Sequence, residues 1–154
     1  KSAVVEGYTT QLKLFSVPTE LELRPESQKL LQDVDGVVFV ADSDPAQLEA
    51  NVEALQSTRQ VLKINGQNPD EVPFVFQFNK SDLPGAIFPD ELDDALSIRT
   101  PSFLGCAISG YQVFATLDHL SQIVLNNFHS SAVKGREQIN EEPVASSIKI
   151  ALSR

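Results

Sequence analysis

The feature that most constrains this chain is an apolar strand-forming run that ends in a polar quartet. Residues 73–78 read Pro-Phe-Val-Phe-Gln-Phe, and Asn79-Lys80-Ser81-Asp82 follows directly. A run that is apolar on both alternating faces is typical of a strand buried between two layers of helices. Open α/β sheets bind their ligands where such strands end. The quartet is therefore either a ligand-binding loop or a βα turn whose side chains satisfy free backbone groups.

The composition is that of a globular protein without a membrane-spanning segment. The chain has 154 residues with 42% hydrophobic and 21% charged content, which fits one globular domain with a real core. The single cysteine, Cys106, excludes an internal disulfide, fits a reducing cytosol and is expected to be a small buried hydrophobe. No stretch approaches the roughly 20 apolar residues that span a bilayer, and no signal segment opens the chain. We therefore predict a cytoplasmic protein.

Charge bears on the partners. The chain has 21 acidic and 12 basic residues and a formal net charge of −9. No basic cluster exists to release counterions, which argues against nucleic acid or an anionic membrane as a partner. The chain contains no methionine, so it is expected to be a processed product or a fragment.

The remaining pattern predicts alternating strands and helices. Val37 to Ala41 is apolar without alternation, as in a central parallel strand. Leu48, Val52, Leu55 and Leu62 share one helical face. The full predicted order is a hairpin (3–8 and 11–17), helix (25–31), strand (37–41), helix (45–64), strand (73–78), helix (89–97), strand (102–107) and helix (111–128). The sequence thus predicts a three-layer α/β fold: a mixed, mostly parallel sheet with helices on both faces and the hairpin as an antiparallel edge.

The last 25 residues differ in composition. Residues 130–143 are polar and charged and are predicted to be a linker. Residues 144–154 turn apolar again, and Ile148, Ile150 and Leu152 alternate with their neighbours as in a strand. His119 and His129 have no second ligand at a metal-like spacing, so we predict no metal site.

Four of these segments resemble one family, the MglA-type bacterial gliding-motility GTPases of the Ras-like superfamily. They are Val34–Ser43, Leu48–Leu55, Gln77–Pro84 and Gly110–Leu117, and they occur in the family's order within residues 1–129. The resemblance implies that Asn79-Lys80-x-Asp82 is a guanine-specificity motif. Asn79 would brace neighbouring loops, the Asp82 carboxylate would accept two hydrogen bonds from the base, and the N–H of Ala107 or Ile108 would contact the base.

The chain departs from the family where chemistry is done. None of the seven glycines is followed by Lys-Ser or Lys-Thr, so the phosphate-binding loop is absent. GTP or GDP with Mg²⁺ is expected only if such a loop is supplied elsewhere, and no catalytic residue is assigned. The family's Thr-Val-Pro-Gly-Gln of the second switch is Ser16-Val17-Pro18-Thr19-Glu20 here. A Cβ at Thr19 hinders backbone approach to a phosphate, and Glu20 is an anion facing it; both changes oppose hydrolysis.

The Ras-like domain expected here lacks its first strand, phosphate loop and first switch. A sheet without that central strand leaves unpaired backbone groups beside the Val37–Ala41 strand. Residues 147–152 have the composition to fill the position. We predict that this segment completes the sheet, as in a circular permutation, or pairs with the sheet of a partner.

Three functions remain. The first is a degenerate GTPase-like domain that acts through protein partners, either GTPase regulators or a second copy, in polarity or motility. The second is a fragment or permuted part of a GTP-hydrolysing enzyme, so catalytic activity stays open. The third is a receiver-type or flavodoxin-type domain with Asp42 and Asp82 at strand ends, which the Asn-Lys-x-Asp context disfavours.

Overall fold

A five-stranded parallel sheet forms the centre of the protein. The structure is a computed structural model that describes residues 4–5, 8–9, 11–17, 25–136 and 147–153. The strands are β1 (Val4–Val5), β2 (Tyr8–Thr9), β3 (Gln11–Val17), β4 (Gly36–Asp42), β5 (Phe74–Asn79), β6 (Ser102–Leu104) and β7 (Ser147–Ser153). The sheet order is β3-β7-β4-β5-β6, and all four pairings are parallel.

Helices cover both faces of this sheet, which confirms the predicted α/β class. They are α1 (Pro25–Leu30), α2 (Leu48–Ile64, after a 3-10 turn at Pro45–Gln47), α3 (Pro89–Ala95) and α4 (Val113–Arg136). Helices α1, α2 and α3 pack on the face that presents Phe39 and Phe76. Helix α4 packs on the other face through Leu120 and Val124. No helix in these described ranges is both long and apolar enough to cross a membrane.

The predicted hairpin between residues 3–8 and 11–17 is wrong, because the two segments do not pair with each other. The antiparallel ladder joins Val4–Val5 to Tyr8–Thr9 and forms a separate two-stranded sheet. Strand β3 instead pairs in parallel with β7 over its whole length, from Gln11 opposite Ser147 to Val17 opposite Ser153. The expected antiparallel edge of the main sheet is therefore absent from the described strands. The close spacing in sequence favoured a hairpin, but two short segments bury much less than a central parallel pairing does.

Helix α4 is longer than predicted. It ends at Arg136, whereas a linker was expected from residue 130. Polar composition does not end a helix, and no proline or glycine occurs between Val113 and Lys134. Any linker to β7 therefore begins after Arg136. Residues 137–146, which include the second half of the predicted linker, lie outside the described residues.

Strand β7 lies in the interior of the sheet, between β3 and β4. Ile150 and Ala151 have no exposed surface. The Asp35 carboxylate accepts the Lys149 N–H at 2.6 Å, and the Asp35 N–H donates to the Lys149 carbonyl at 2.7 Å. At the other end, the buried hydroxyls of Ser153 and Thr58 are 2.8 Å apart, so β7 also bonds to α2. Strand β7 is thus anchored at both ends and along both sides.

The stability of the protein should depend on pH through Asp35, whose carboxylate anchors β7. Burial raises the pKa of Asp35, opposed by the Lys149 N–H and charge. Because the folded state holds this proton more tightly, the contribution of Asp35 to stability falls as pH rises from the unfolded value of about 3.9 through the raised pKa. Urea unfolding at several pH values should show this decrease in the free energy of unfolding for the parent protein. The Asp35→Asn variant, which has no carboxyl group at this position, should not show it. Parallel pH profiles for the two proteins would contradict it.

Candidate functional site

The carboxyl ends of β4 and β5 bring the predicted base-binding motif together with a second acidic residue. Asp42 and Asn79 are the last residues of these strands and are direct partners across the ladder. Ser43 N–H donates to the Asn79 carbonyl at 2.9 Å, which extends the pairing by one residue. Since all five strands are parallel, the ends of β3 and β6 face the same edge. This edge is the candidate site.

Asn79 joins two of the loops at this edge. Its Oδ1 accepts the Ala107 N–H at 2.9 Å. Ser81 makes a second connection, because its N–H and its hydroxyl both donate to the Gly105 carbonyl, at 3.1 and 3.0 Å. Gly105 is required for this approach, because a Cβ there would overlap the buried Gln77 side chain. The loop after β5 and the loop after β6 therefore form one unit.

The Lys80 side chain is held in an ion pair. Its Nζ lies 2.5 Å from Asp42 Oδ2, and the hydrogen bond to that carboxylate, then its charge, raises the pKa of Lys80. Lys80 has a φ of 62°, in the left-handed region that few residues other than glycine adopt. The pair fixes the direction of the lysine stem beside Asn79. It also neutralises the cation of the motif.

Asp82 and Ile108 are the predicted base contacts that remain free. Asp82 is exposed, and its carboxylate has no hydrogen-bond or ion-pair partner in the described part of the chain. The Ile108 side chain is fully exposed, and its N–H likewise has no acceptor among the described residues. Ala107 differs, because Asn79 already uses its N–H. The site thus offers one free carboxylate and one free backbone donor.

Asn51 is a site residue that the sequence reasoning missed. It is 7% exposed on α2, its Oδ1 accepts the Asp42 N–H at 2.9 Å, and its Nδ2 donates to the Asp42 carbonyl at 2.8 Å. Asp42 Oδ1 in turn accepts the Asp44 N–H at 3.0 Å. Asn51 therefore positions the carboxylate that holds Lys80. Its signal was a polar residue among the apolar positions of an amphipathic helix.

The predicted second-switch segment is only partly described. Ser16 is exposed and Val17 is buried at the end of β3, opposite Leu152 and Ser153 of β7. Pro18, Thr19 and Glu20 lie outside the described residues. Their predicted effect on hydrolysis stays a prediction.

The described residues were also tested for a metal site. No group of three or more His, Cys, Asp or Glu side chains within them could hold a metal ion. His119 instead contacts the Phe103 ring in a tilted arrangement, with ring centroids 5.4 Å apart and an interplanar angle of 58°.

Comparison with known proteins identifies the family of the chain. The model of the ADP-ribosylation factor family matches residues 2–141, so strand β7 lies outside the match. Mutual gliding-motility protein MglA of Myxococcus xanthus (strain DK1622) is 38% identical over 122 residues, 79% of this chain and 63% of MglA. ADP-ribosylation factor-like protein 4D of Mus musculus is 30% identical over 128 residues, 77% of this chain and 60% of that protein. The chain thus spans about three-fifths of the length of these relatives.

The family match covers most of the chain and includes every strand of the main sheet except β7. It also includes the loops that carry Asn79, Asp82 and Ala107. The predicted resemblance is therefore confirmed. The chain belongs to the ADP-ribosylation factor family of Ras-like small GTPases, of the MglA type.

Proposed function

We propose that this chain is a guanine-recognising small-GTPase domain that acts through protein partners in motility or polarity regulation, with little or no GTP hydrolysis by the residues it carries. The observation that supports it best is the pairing of a braced loop with a free carboxylate. Asn79 holds Ala107, and Asp82 stands exposed beside them without a partner among the described residues. The relative MglA carries the name of a gliding-motility protein, which supports the regulatory role.

The free groups match the edge of a guanine base. An ionised carboxylate accepts two hydrogen bonds, which suits Asp82 to the adjacent ring N–H and exocyclic amine of guanine. The Ile108 N–H is the free donor for the base carbonyl, since Ala107 donates to Asn79. Adenine presents an acceptor and no carbonyl on the equivalent edge, so the same groups reject it. Lys80 contributes its stem, because Asp42 already holds its ammonium group.

The sequence supports contacts to the phosphates of a nucleotide much less than contacts to its base. No glycine in the sequence precedes Lys-Ser or Lys-Thr, and Thr19 and Glu20 replace the residues that would meet the third phosphate and the attacking water. We therefore expect base recognition without a phosphate cradle. A protein that binds the base but not the phosphates works as a binding module, which is why we place its role in contacts with partners. GTPase regulators or a second copy of the chain are the partners that the family suggests.

Calorimetric titration of the purified chain tests base recognition. Guanosine, GDP and GTP with Mg²⁺ should bind with dissociation constants on the order of 0.1–1 mM, equal within about threefold, and adenosine should not bind measurably. Asp82→Ala should weaken guanosine about 10- to 100-fold, because two hydrogen bonds to a charged acceptor are lost. Asp118→Ala, an exposed acid on α4, is the control and should change nothing. Equal binding of adenosine would refute the proposal.

The second candidate function is a part of a GTP-hydrolysing enzyme, and one observation favours it. Strand β7 lies within the main sheet although it is outside the family match. Such a strand would sit where the first strand of a GTPase sits, as in a permuted domain. The same titration separates the two functions. GTP that binds 100-fold more tightly than guanosine, or phosphate release from GTP, would establish the second and reject the first.

A further inference from the structure

A second cleft lies at the opposite end of the sheet from the base-binding loops. It has a volume of about 520 Å³, within the range of small-molecule sites. The loops that precede β5 and β6 form its walls, and helix α2 closes one side. Its floor is the stacked pair Phe74 and Phe76, with ring centroids 6.0 Å apart, and Pro101 lies at its edge. Nothing in the guanine-recognition proposal uses this cleft.

Arg59 of α2 gives the cleft a specific polar group. Its guanidinium carbon lies 5.9 Å from the centroid of the Phe74 ring, which fixes the group over the apolar floor. Its Nε–H is buried and has no acceptor in the described part of the chain. A buried donor without an acceptor is unfavourable, and a bound anion would relieve that penalty. Arg59 also makes no ion pair with any described residue, in a chain of net charge −9.

The charges around Arg59 select the kind of anion. Arg99 lines the same cleft, but so do Asp70 and Glu71. Two cations and two acids leave the walls without a formal net charge, so a dianion such as phosphate gains no overall attraction that would offset its larger desolvation cost relative to a monoanion. An arginine fork matches a carboxylate geometrically, and the more exposed apolar lining at Ile98 and Pro101 suits an apolar body.

We propose that this cleft binds small monocarboxylates with an aromatic or apolar body, with the carboxylate on the Arg59 guanidinium and the body on the more exposed apolar lining at Ile98 and Pro101. The site stands apart from the guanine motif, which lies at the other end of β5. It therefore holds or fails independently of the proposed nucleotide recognition. Two ligands of different chemistry can then occupy the two ends of one strand.

Nuclear magnetic resonance titration with phenylacetate tests this site. We expect saturable shifts of the Arg59 Nε–H and of backbone amides near Ile98, with a dissociation constant on the order of 1 mM for so small a ligand. Arg59→Met keeps the length of the stem and should weaken binding at least ~10-fold. Arg59→Lys keeps the charge but lacks the Nε–H, so its affinity for phenylacetate should lie between that of the parent and that of Arg59→Met. Guanosine should not compete.

Three controls make the test decisive. Phenylacetamide has the same body without the charge and should bind at least ~10-fold more weakly; inorganic phosphate should produce no saturable shift. Lys63→Met removes another cation of α2, one turn further and outside the cleft, and should leave binding unchanged. The proposal is overturned if phenylacetamide binds as well as phenylacetate. It is also overturned if both Arg59 variants, shown to be folded by their spectra, bind like the parent, or if the shifts map elsewhere.

Discussion

Ile150→Pro should abolish cooperative folding of this chain. Ile150 is fully buried in β7 and pairs with Leu14 of β3 on one side and Gly36 of β4 on the other. Proline removes a backbone donor from a strand that is paired on both sides, which costs about 3 kcal/mol or more. The lost isoleucine side chain adds about 2–5 kcal/mol. The sum rivals the roughly 5–15 kcal/mol by which domains are stable, so far-ultraviolet circular dichroism should show a largely unfolded protein.

Ile150→Val is the matched control for that experiment. It removes one methylene and keeps the strand, so urea unfolding should show a loss of only about 0.5–1.5 kcal/mol. A folded Ile150→Pro protein with a midpoint near that of Ile150→Val would mean that β7 is not a central strand in solution. The result bears directly on the permuted-domain alternative, because that alternative needs β7 in its observed place. It does not bear on the carboxylate cleft.

The sequence was informative where burial alone decides the structure. The runs at Val37–Ala41 and Phe74–Phe78 are largely apolar on both faces, and such runs are typical of interior parallel strands. The partner of β3 was not predictable in this way. The alternating pattern of a strand with one exposed face indicates which side is buried, but it does not indicate which strand lies beside it. The neighbour of β3 is β7, more than 130 residues away in the chain. Local spacing suggested a hairpin, and the long-range pairing prevailed.

The same distinction applies to the site. Asn79 and Asp82 could be predicted as site residues because the motif that contains them is defined by spacing within four residues of one loop. The ion pair of Lys80 with Asp42 was not predicted, although both residues follow predicted strands within two positions. Strand order was the missing information: neighbouring parallel strands place their last residues side by side. To predict the role of Asn51, one would also need the rotation of α2 relative to the end of β4.

Asn51→Leu should destabilise the protein by about 2–4 kcal/mol. Leucine has a similar branched shape but leaves the Asp42 N–H and carbonyl without the partners they have now, and each unsatisfied buried group costs about 1–3 kcal/mol. Leucine burial offsets part of this loss. At about 3 °C per kcal/mol for a domain of this size, the thermal midpoint should fall by roughly 6–12 °C. Thermal unfolding followed by circular dichroism measures the shift.

Asn65→Leu, at the residue that directly follows α2, separates this effect from the general consequence of replacing an asparagine that bonds to the backbone. Asn65 is partly exposed and makes one comparable side-chain bond, from its Nδ2 to the Gln28 carbonyl at 2.8 Å. Losing it should cost about 1 kcal/mol or less. Asn51→Leu should also weaken guanosine binding several-fold, because Asp42 no longer holds Lys80 in place, whereas Asn65→Leu should not. Equal stability of the two variants would show that Asn51 does not fix Asp42, and unchanged guanosine binding would remove the Asp42–Lys80 pair from base recognition.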